Sequence, residues 1–335
     1  MAGALHIVPG LDEPGNGISV AARLIASEQN AGICEARTFD ESKLVGIDEV
    51  WVHSMWTPMV MRSCRVVLKR GKRLVRMTHA NLDPLRLEYH GWKKRLAGPI
   101  ERFYLRRAYR IVATCEAEKE WIGAYLGKRC PRIEVIDLKR FFDLNHGIHG
   151  APGIDKPPSL SSHASCRELH LLYLGRKHPL KGLEYLEAAV ADVVSGCRLS
   201  AVECPVPQKP SFELRIVSNA FGEEKERVWE WCDVLVLPTL SENFGLVVAE
   251  ALERGKYVIT TDGAPAWGGE CGCKMENVKC NIEECGGIHC GILLGYNGHM
   301  IYLKGFRNGS RDMRVRLLQE GIAQINCLFH SGKMV

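Results

Sequence analysis

The sequence predicts an α/β protein built from two doubly wound domains, and three observations carry that expectation. Strand-like apolar runs alternate with helix-like segments through the first 143 residues, and the same alternation restarts at residue 168. Between them, LNHGIHGAPGIDKPPSLSSHASCR is rich in Gly, Pro, Ser and His without any period, as in a linker or long loop. A chain of 335 residues also has room for two cores, since a domain commonly takes about 100–200 residues. Alternating strand and helix implies parallel sheets covered on both faces, and two such runs imply two domains facing a central cleft. The expected division is a first domain over 1–150, a linker over 151–167 and a second domain over 168–310 that carries a Cys-rich insert at 268–291. A closing helix and tail over 311–335 completes the chain.

The elements follow in order. ALHIVPG reads as a strand, and LDEPGNG as a glycine-bearing turn into a helix with Ile18, Ala22, Leu24 and Ile25 on its apolar side. DEVWVHS is a second strand, MVMRSCRVVLKRG a helix stopped by Gly71, and KRLVRMTH a strand ending in the polar THANLDP. GPIERFYLRRAYR reads as a basic helix, RIVATCE as a strand, AEKEWIGAYLG as a helix and RIEVIDL as the strand closing this half. In the second half, LHLLYLG, FELRIVS, DVLVLPT and KYVITTD are strands. LKGLEYLEAAVADV, EKERVWEWC and FGLVVAEALERG are the helices between them. After GAPAW the pattern lapses over residues 268–298, then MIYLKGF reads as a strand and RDMRVRLLQEGIAQINCLF as the closing helix. No repeat of solenoid length is present.

Composition narrows the class. Hydrophobic content of 46% and charged content of 25% are ordinary for a soluble globular protein, and no 18-residue apolar run is available to span a membrane. The N-terminal MAGALHIVPG lacks a basic start and runs into Asp12-Glu13, so no secretory signal is expected and the expected compartment is the cytoplasm. The net charge of +5 conceals an uneven distribution: residues 61–110 hold 15 Lys or Arg against three acids, Asp83, Glu88 and Glu101. A patch of that density attracts phosphate groups or an anionic membrane surface, although solvated helix faces also account for it. No nucleic-acid motif accompanies it, so no nucleic-acid partner is expected. A place at the inner face of the cytoplasmic membrane is the corresponding expectation.

Of 14 cysteines, five fall within twenty residues near the end. Cys271, Cys273, Cys280, Cys285, His289 and Cys290 could hold zinc, but the spacing matches no standard ribbon or finger, and incidental thiols are the expectation. No cofactor or resident metal is expected elsewhere.

The chemistry is concentrated in LSENFGLVVAEALERGKYVITTDGAP, where Glu242 and Glu250 stand eight positions apart. A strand precedes this stretch, Ser241 is placed to cap the helix that follows, and Gly245 leaves room for close backbone approach. In open α/β folds, ligands bind beyond the carboxyl ends of strands and helix N-termini there attract phosphate. One acid would then bind hydroxyls at each end of a ligand with phosphates between, which is the shape of a nucleotide-sugar. Arg176 and Lys181, in LYLGRKHPLKGLEYL, follow a strand and precede a helix, where two cations could neutralise a diphosphate leaving group without a metal. Gly15 and Gly17 follow the first strand, placed to bring backbone N–H groups to the leaving phosphate of the donor or to the acceptor. His79 ends a strand of the first half and would donate a hydrogen bond to the sugar or steady the transition-state charge; His53 is the weaker histidine candidate, and Asp83 and Arg86 are placed to read the acceptor.

These stretches together resemble the retaining GT-B glycosyltransferases of family four, the glycosyl transferases group 1 enzymes of bacterial lipopolysaccharide and surface-glycan synthesis. The resemblance covers residues 1 to about 265, in register through ENFG and the E-x₇-E pair. It implies two Rossmann-like domains, with Glu242 on the donor-sugar hydroxyls, Glu250 on the ribose, and Asn243, Phe244, Gly245 and Leu246 at the donor. It further implies Arg176 and Lys181 on the diphosphate, a glycine-rich loop at Gly15 and Gly17, and a histidine at position 79. The donor would be a UDP-, GDP- or ADP-sugar and the acceptor a glycan or lipid-linked glycan, joined by front-side displacement with retention. The family's proline-asparagine-glycine turn before the linker is missing from RIEVIDLKRFFD, which leaves that boundary open. An inert nucleotide-sugar binder and a GT-B nucleotide-sugar epimerase remain the alternatives.

Overall fold

The structure, a computed structural model, describes residues 3–11, 16–89, 91–142, 144, 168–194, 212–218, 220–268, 276–278, 291–295 and 300–330. It divides into two compact units, Met1–Phe141 and Phe142–Val335.

The first unit is a six-stranded parallel sheet in the order β2-β1-β3-β4-β5-β6. Its strands are β1 (Gly3–Val8), β2 (Gly32–Glu35), β3 (Ile47–His53), β4 (Arg73–Met77), β5 (Arg110–Ala113) and β6 (Ile133–Val135). Its helices are α1 (Gly17–Glu28), α2 (Pro58–Lys69), α3 (Pro84–Glu88), α4 (Gly91–Arg106) and α5 (Glu116–Leu126). Ile7, Val8, Val50, Val52, Val75 and Met77 on the central strands are all fully buried, as a sheet covered on both faces requires. The strand order reverses between β1 and β3, which sets a crevice at their carboxyl ends.

The second unit places five parallel strands, β7 (Leu169–Leu174), β8 (Phe212–Val217), β9 (Val234–Leu237), β10 (Tyr257–Thr261) and β13 (Met300–Lys304), in the order β13-β10-β9-β7-β8. Two antiparallel strands, β12 (Gly291–Gly295) and β11 (Glu276–Val278), extend the β13 edge. The helices are α6 (Leu183–Val194), α7 (Gly222–Trp231), α8 (Leu246–Glu253) and α9 (Arg311–His330). The switch point lies between β7 and β9. The closing helix α9 packs across its own unit, where Arg314 donates to the Tyr185 hydroxyl at 2.6 Å and Gln319 to Asp192 at 2.8 Å. No helix among the described residues is long and apolar enough to cross a membrane.

Several elements depart from expectation for local reasons. β2, only four residues long and on the sheet edge, escapes a reading based on apolar runs. α4 starts at Gly91, seven residues ahead of the predicted start, and runs through Pro99 although that residue forfeits one helical hydrogen bond. The helix read from Leu180 is broken at Gly182, whose left-handed backbone separates a single 3₁₀ turn (Pro179–Lys181) from α6. Within the Cys-rich stretch, β11 and β12 were not expected.

Candidate active site

In the second unit, three loops leave the carboxyl ends of the neighbouring strands β7, β9 and β10, and backbone hydrogen bonds stitch them together. The Leu180 carbonyl accepts from Leu240 N at 2.9 Å, Ser241 N at 3.3 Å and Thr239 Oγ1 at 3.0 Å. Glu242 N donates to the Gly263 carbonyl at 2.8 Å. Two glycines permit the approach: a Cβ at Gly182 would stand 1.9 Å from Pro238 O, and one at Gly263 2.0 Å from Thr239 O. The backbone position of residues 180, 239–242 and 263 is therefore fixed before any side chain is considered.

On this frame Lys181 Nζ forms an ion pair with Glu242 Oε2, their side chains 18% and 15% exposed. The structure thus joins two of the four residues expected to carry the chemistry. Glu242 Oε1 accepts from Asn243 N at 3.0 Å, which fixes the carboxylate's second oxygen. Tyr173, fully buried beneath, has its phenol pushed up to about 12, first by burial and then by the negative charge of Glu242. The phenol stays protonated and donates to the Arg176 carbonyl at 3.0 Å. That contact holds the backbone of Arg176, whose side chain is exposed.

Ser241 does not cap α8. It is fully buried, with its backbone N–H committed to Leu180, and the N-cap position falls to Gly245 in a left-handed conformation (φ 73°). A Cβ there would lie 3.3 Å from both Glu242 Cγ and Trp267 Nε1. Trp267 Nε1 donates to the Phe244 carbonyl, and the two rings lie 5.1 Å apart between centroids. Leu246 is the first residue of α8. Glu250, in the second turn of α8, has its Oε2 2.6 Å from Lys225 Nζ of α7 without hydrogen-bond alignment. The two glutamates of the motif therefore hold separate lysines.

In the first unit, His79 is 1% exposed and ends a chain of buried histidines. Its Nε2 meets His53 Nδ1 at 2.9 Å, His53 Nε2 meets His6 Nδ1 at 2.9 Å, and His6 Nε2 meets Gln29 Oε1 at 2.9 Å. With the Gln29 carbonyl oxygen accepting from His6, each ring in turn carries its proton on Nε2, so His79 directs its N–H at His53. Burial pushes His6 down to about 4, His79 down to about 3 with Arg86 and Arg76 adding to it, and His53 well below its ordinary value. The fully buried Glu118 of α5 braces the turn at His79 by accepting from Thr78 Oγ1 at 2.6 Å, Ala80 N at 2.5 Å, and Thr114 N and Oγ1, both at 2.8 Å. Asp83 is fully buried and caps α3 by accepting from Leu85 N at 2.9 Å, so one of its oxygens is committed to the fold. Arg86 is half-buried on α3. Gly17 opens α1 behind the cap at Asn16, whereas Gly15 lies outside the described residues.

Cys271, Cys273, Cys280, Cys285, His289 and Cys290 also lie outside the described residues; among those described, no group of three or more His, Cys, Asp or Glu is placed to hold a metal ion.

Two family models match the chain: "Glycosyl transferase 4-like domain" over residues 14–138 and "Glycosyl transferases group 1" over residues 168–280. The chain is a GT-B glycosyltransferase. Solved structures agree on the fold. An α,α-trehalose-phosphate synthase (UDP-forming) from Burkholderia vietnamiensis is similar at TM-score 0.50 and 10% identity, covering 100% of this chain and 96% of that one. Its counterpart from Burkholderia xenovorans gives 0.51 and 9%, covering 100% and 95%. The N-terminal domain of a Candida albicans trehalose-6-phosphate phosphatase gives 0.54 and 7%, covering 99% and 96%. At such identities the likeness bears on fold alone. No curated protein matches significantly.

The transferase also uses residues that sequence reasoning passed over. Tyr173, Gly182, Gly263 and Trp267 shape the Lys181–Glu242 pair, and Glu118 and His6 shape the turn at His79 together with His53, the weaker histidine candidate. For Trp267 and Gly263 the signal was adjacent: both lie in GAPAW, directly after the strand that follows the E-x₇-E pair.

Proposed function

We propose that this glycosyltransferase moves a sugar, with retention, from a nucleoside-diphosphate sugar to a glycan or lipid-linked acceptor in lipopolysaccharide or surface-polysaccharide synthesis. The Lys181–Glu242 ion pair at the carboxyl ends of β7 and β9 is the observation that carries the reading. An ammonium has three N–H donors, so Lys181 can serve Glu242 and a phosphate oxygen at once. Arg176, exposed on the same loop, adds a second cation for the diphosphate. Glu242 then orients the sugar hydroxyls, and Glu250, beside Lys225, takes the ribose. Asn243, Phe244, Gly245 and Leu246 form the wall between, and Gly15 and Gly17 are assigned to the donor as backbone N–H donors.

The acceptor oxygen bonds to the anomeric carbon from the face on which the carbon–phosphate oxygen bond breaks. The acceptor proton passes to the departing phosphate, and the products are the glycoside and the nucleoside diphosphate. The chain's residues act by position and charge, with no protein nucleophile required. His79 is assigned to the transition-state charge at the transferred sugar, and Asp83 and Arg86 to the acceptor. The transferase and not the inert binder or the epimerase is the reading the family matches favour. The strongly basic segment 61–110 supports an anionic acceptor presented at the inner face of the cytoplasmic membrane.

The test is nucleotide release from a panel of UDP-, GDP- and ADP-sugars, with the product anomer read by NMR. One donor should turn over with retention, and Lys181→Ala or Glu242→Ala should each lower turnover by about 10²–10³-fold. Inversion of the anomer, or full activity in both variants, would remove the proposal.

A further inference from the structure

α4 carries two faces of opposite character. Gly98, Glu101 and Leu105 are buried against the sheet, with Glu101 paired to Arg76 at 3.0 Å and both side chains 0% exposed. On the opposite side Trp92, Leu96, Ile100 and Phe103 recur at helical spacing, and they are 64%, 72%, 49% and 47% exposed. Exposed cations flank this stripe: Lys93 lies over the Trp92 ring, Arg107 over Phe103, and Arg95 on the other edge. Glu101 is the one acid of the helix and it points inward, so the outward face is apolar at its centre and uniformly positive at its rim. Single exposed apolar residues are ordinary; four in register between cations are not.

We propose that this face of α4 docks the transferase onto an anionic lipid bilayer. The stripe inserts to the depth of the headgroups while Lys93, Arg95 and Arg107 bind lipid phosphates. An amphipathic helix with aromatic and aliphatic residues on one face and cations beside them lies in the plane of a membrane in this manner. Charge complementarity commits the surface to an anionic bilayer, since a second copy would bring the same cations against these. The helix starts three residues after α3, close to the turn that holds His79 and Asp83, and Lys94 Nζ donates to the Arg86 carbonyl. A docked α4 therefore sets the acceptor-side residues of the first unit at the lipid surface. The inference deepens the proposed function and rests on it only for the acceptor; the docking itself rests on α4.

The test is co-sedimentation of the full chain with vesicles of phosphatidylcholine alone and of phosphatidylcholine with equal phosphatidylglycerol, at low and high salt, beside nucleotide release from a soluble donor. Binding to the anionic vesicles only, weakened by salt, is expected. Leu96→Glu with Phe103→Glu should lower it by at least about ten-fold, and Lys93→Glu with Arg95→Glu by at least about five-fold per cation. All four positions are solvent-exposed, so unchanged circular dichroism and unchanged release of nucleotide in solution should accompany both variants. Absence of sedimentation at low salt, equal binding by either double variant, or self-association in solution that Leu96→Glu abolishes would overturn the docking. Vesicle binding without turnover of any donor would sustain the docking and overturn the transfer reading instead.

Discussion

Replacing Gly182 with alanine puts a Cβ 1.9 Å from the Pro238 carbonyl oxygen and 3.1 Å from its carbon, at a residue whose φ is +65°. The left-handed backbone alone costs alanine about 1–2 kcal/mol. To reach ordinary contact, the β7–α6 and β9–α8 loops must part by about 1.5 Å. That displacement breaks or weakens the bonds from Leu240 N, Ser241 N and Thr239 Oγ1 to Leu180 O, now at 2.9, 3.3 and 3.0 Å. At about 1 kcal/mol each, with the backbone strain, the sum is roughly 3–5 kcal/mol. For a domain of this size that lowers Tm by about 10 °C. Lys181 is the adjacent residue, and displacing its ammonium by about 1 Å from the reacting phosphate should reduce turnover by about 10²-fold. Thermal unfolding followed by circular dichroism gives the first quantity, and nucleotide release well below either transition gives the second. A variant with Tm within about 2 °C of the parent and undiminished turnover would show that the two loops are not pressed together.

Glu118→Gln turns one acceptor oxygen into a donor facing Thr114 N or Ala80 N, and should destabilise the first unit by about 2–3 kcal/mol in urea unfolding; an unchanged midpoint would contradict the brace. Glu101→Ala strands the buried Arg76 guanidinium and should cost about 3–5 kcal/mol by the same measurement, more than any substitution on the outward face of α4. The histidine chain makes stability depend on pH. His6 and His79 titrate at about 4 and about 3 when folded, below the unfolded value, so the unfolded chain binds more protons in between. Stability is complete above pH 6.5 and falls as pH drops towards those values, by about 1.4 kcal/mol per pH unit for each histidine. Denaturation midpoints that stay level from pH 7 to pH 5 would show that these rings are not buried and neutral.

Apolar runs such as VLVL at 234–237 were legible as parallel strands because a strand covered on both faces leaves no polar position to confuse the pattern. The Lys181–Glu242 pair was approachable for a related reason: both residues lie in the loops that leave such strands, and adjacent parallel strands deliver their loops to one edge. The histidine chain was not legible. His6, His53 and His79 are 47 and 26 positions apart in sequence, and only the adjacency of β1, β3 and β4 aligns them. Nothing in the sequence around His79 shows that its Nε2 meets His53 of the neighbouring strand. The start of α4 was missed because Gly98-Pro99 looks like a helix beginning, yet Gly98 belongs on the buried side, where the Tyr125 hydroxyl donates to its carbonyl at 3.2 Å. The Lys225–Glu250 ion pair joins α7 to α8 across 25 positions of sequence, which spacing alone does not reveal.

The Arg76–Glu101 pair also works as a keel. Arg76 grips the Val52 and Ser54 carbonyls at 3.2 and 2.9 Å, and Glu101 additionally receives the Trp56 N–H at 2.7 Å, so the azimuth of α4 about its own axis is referenced to the end of β3. Residues on the outward side can then drift without rolling the helix. Evolution could retune which surface this enzyme visits while leaving the phase of the helix, and the turn beside it, where they are.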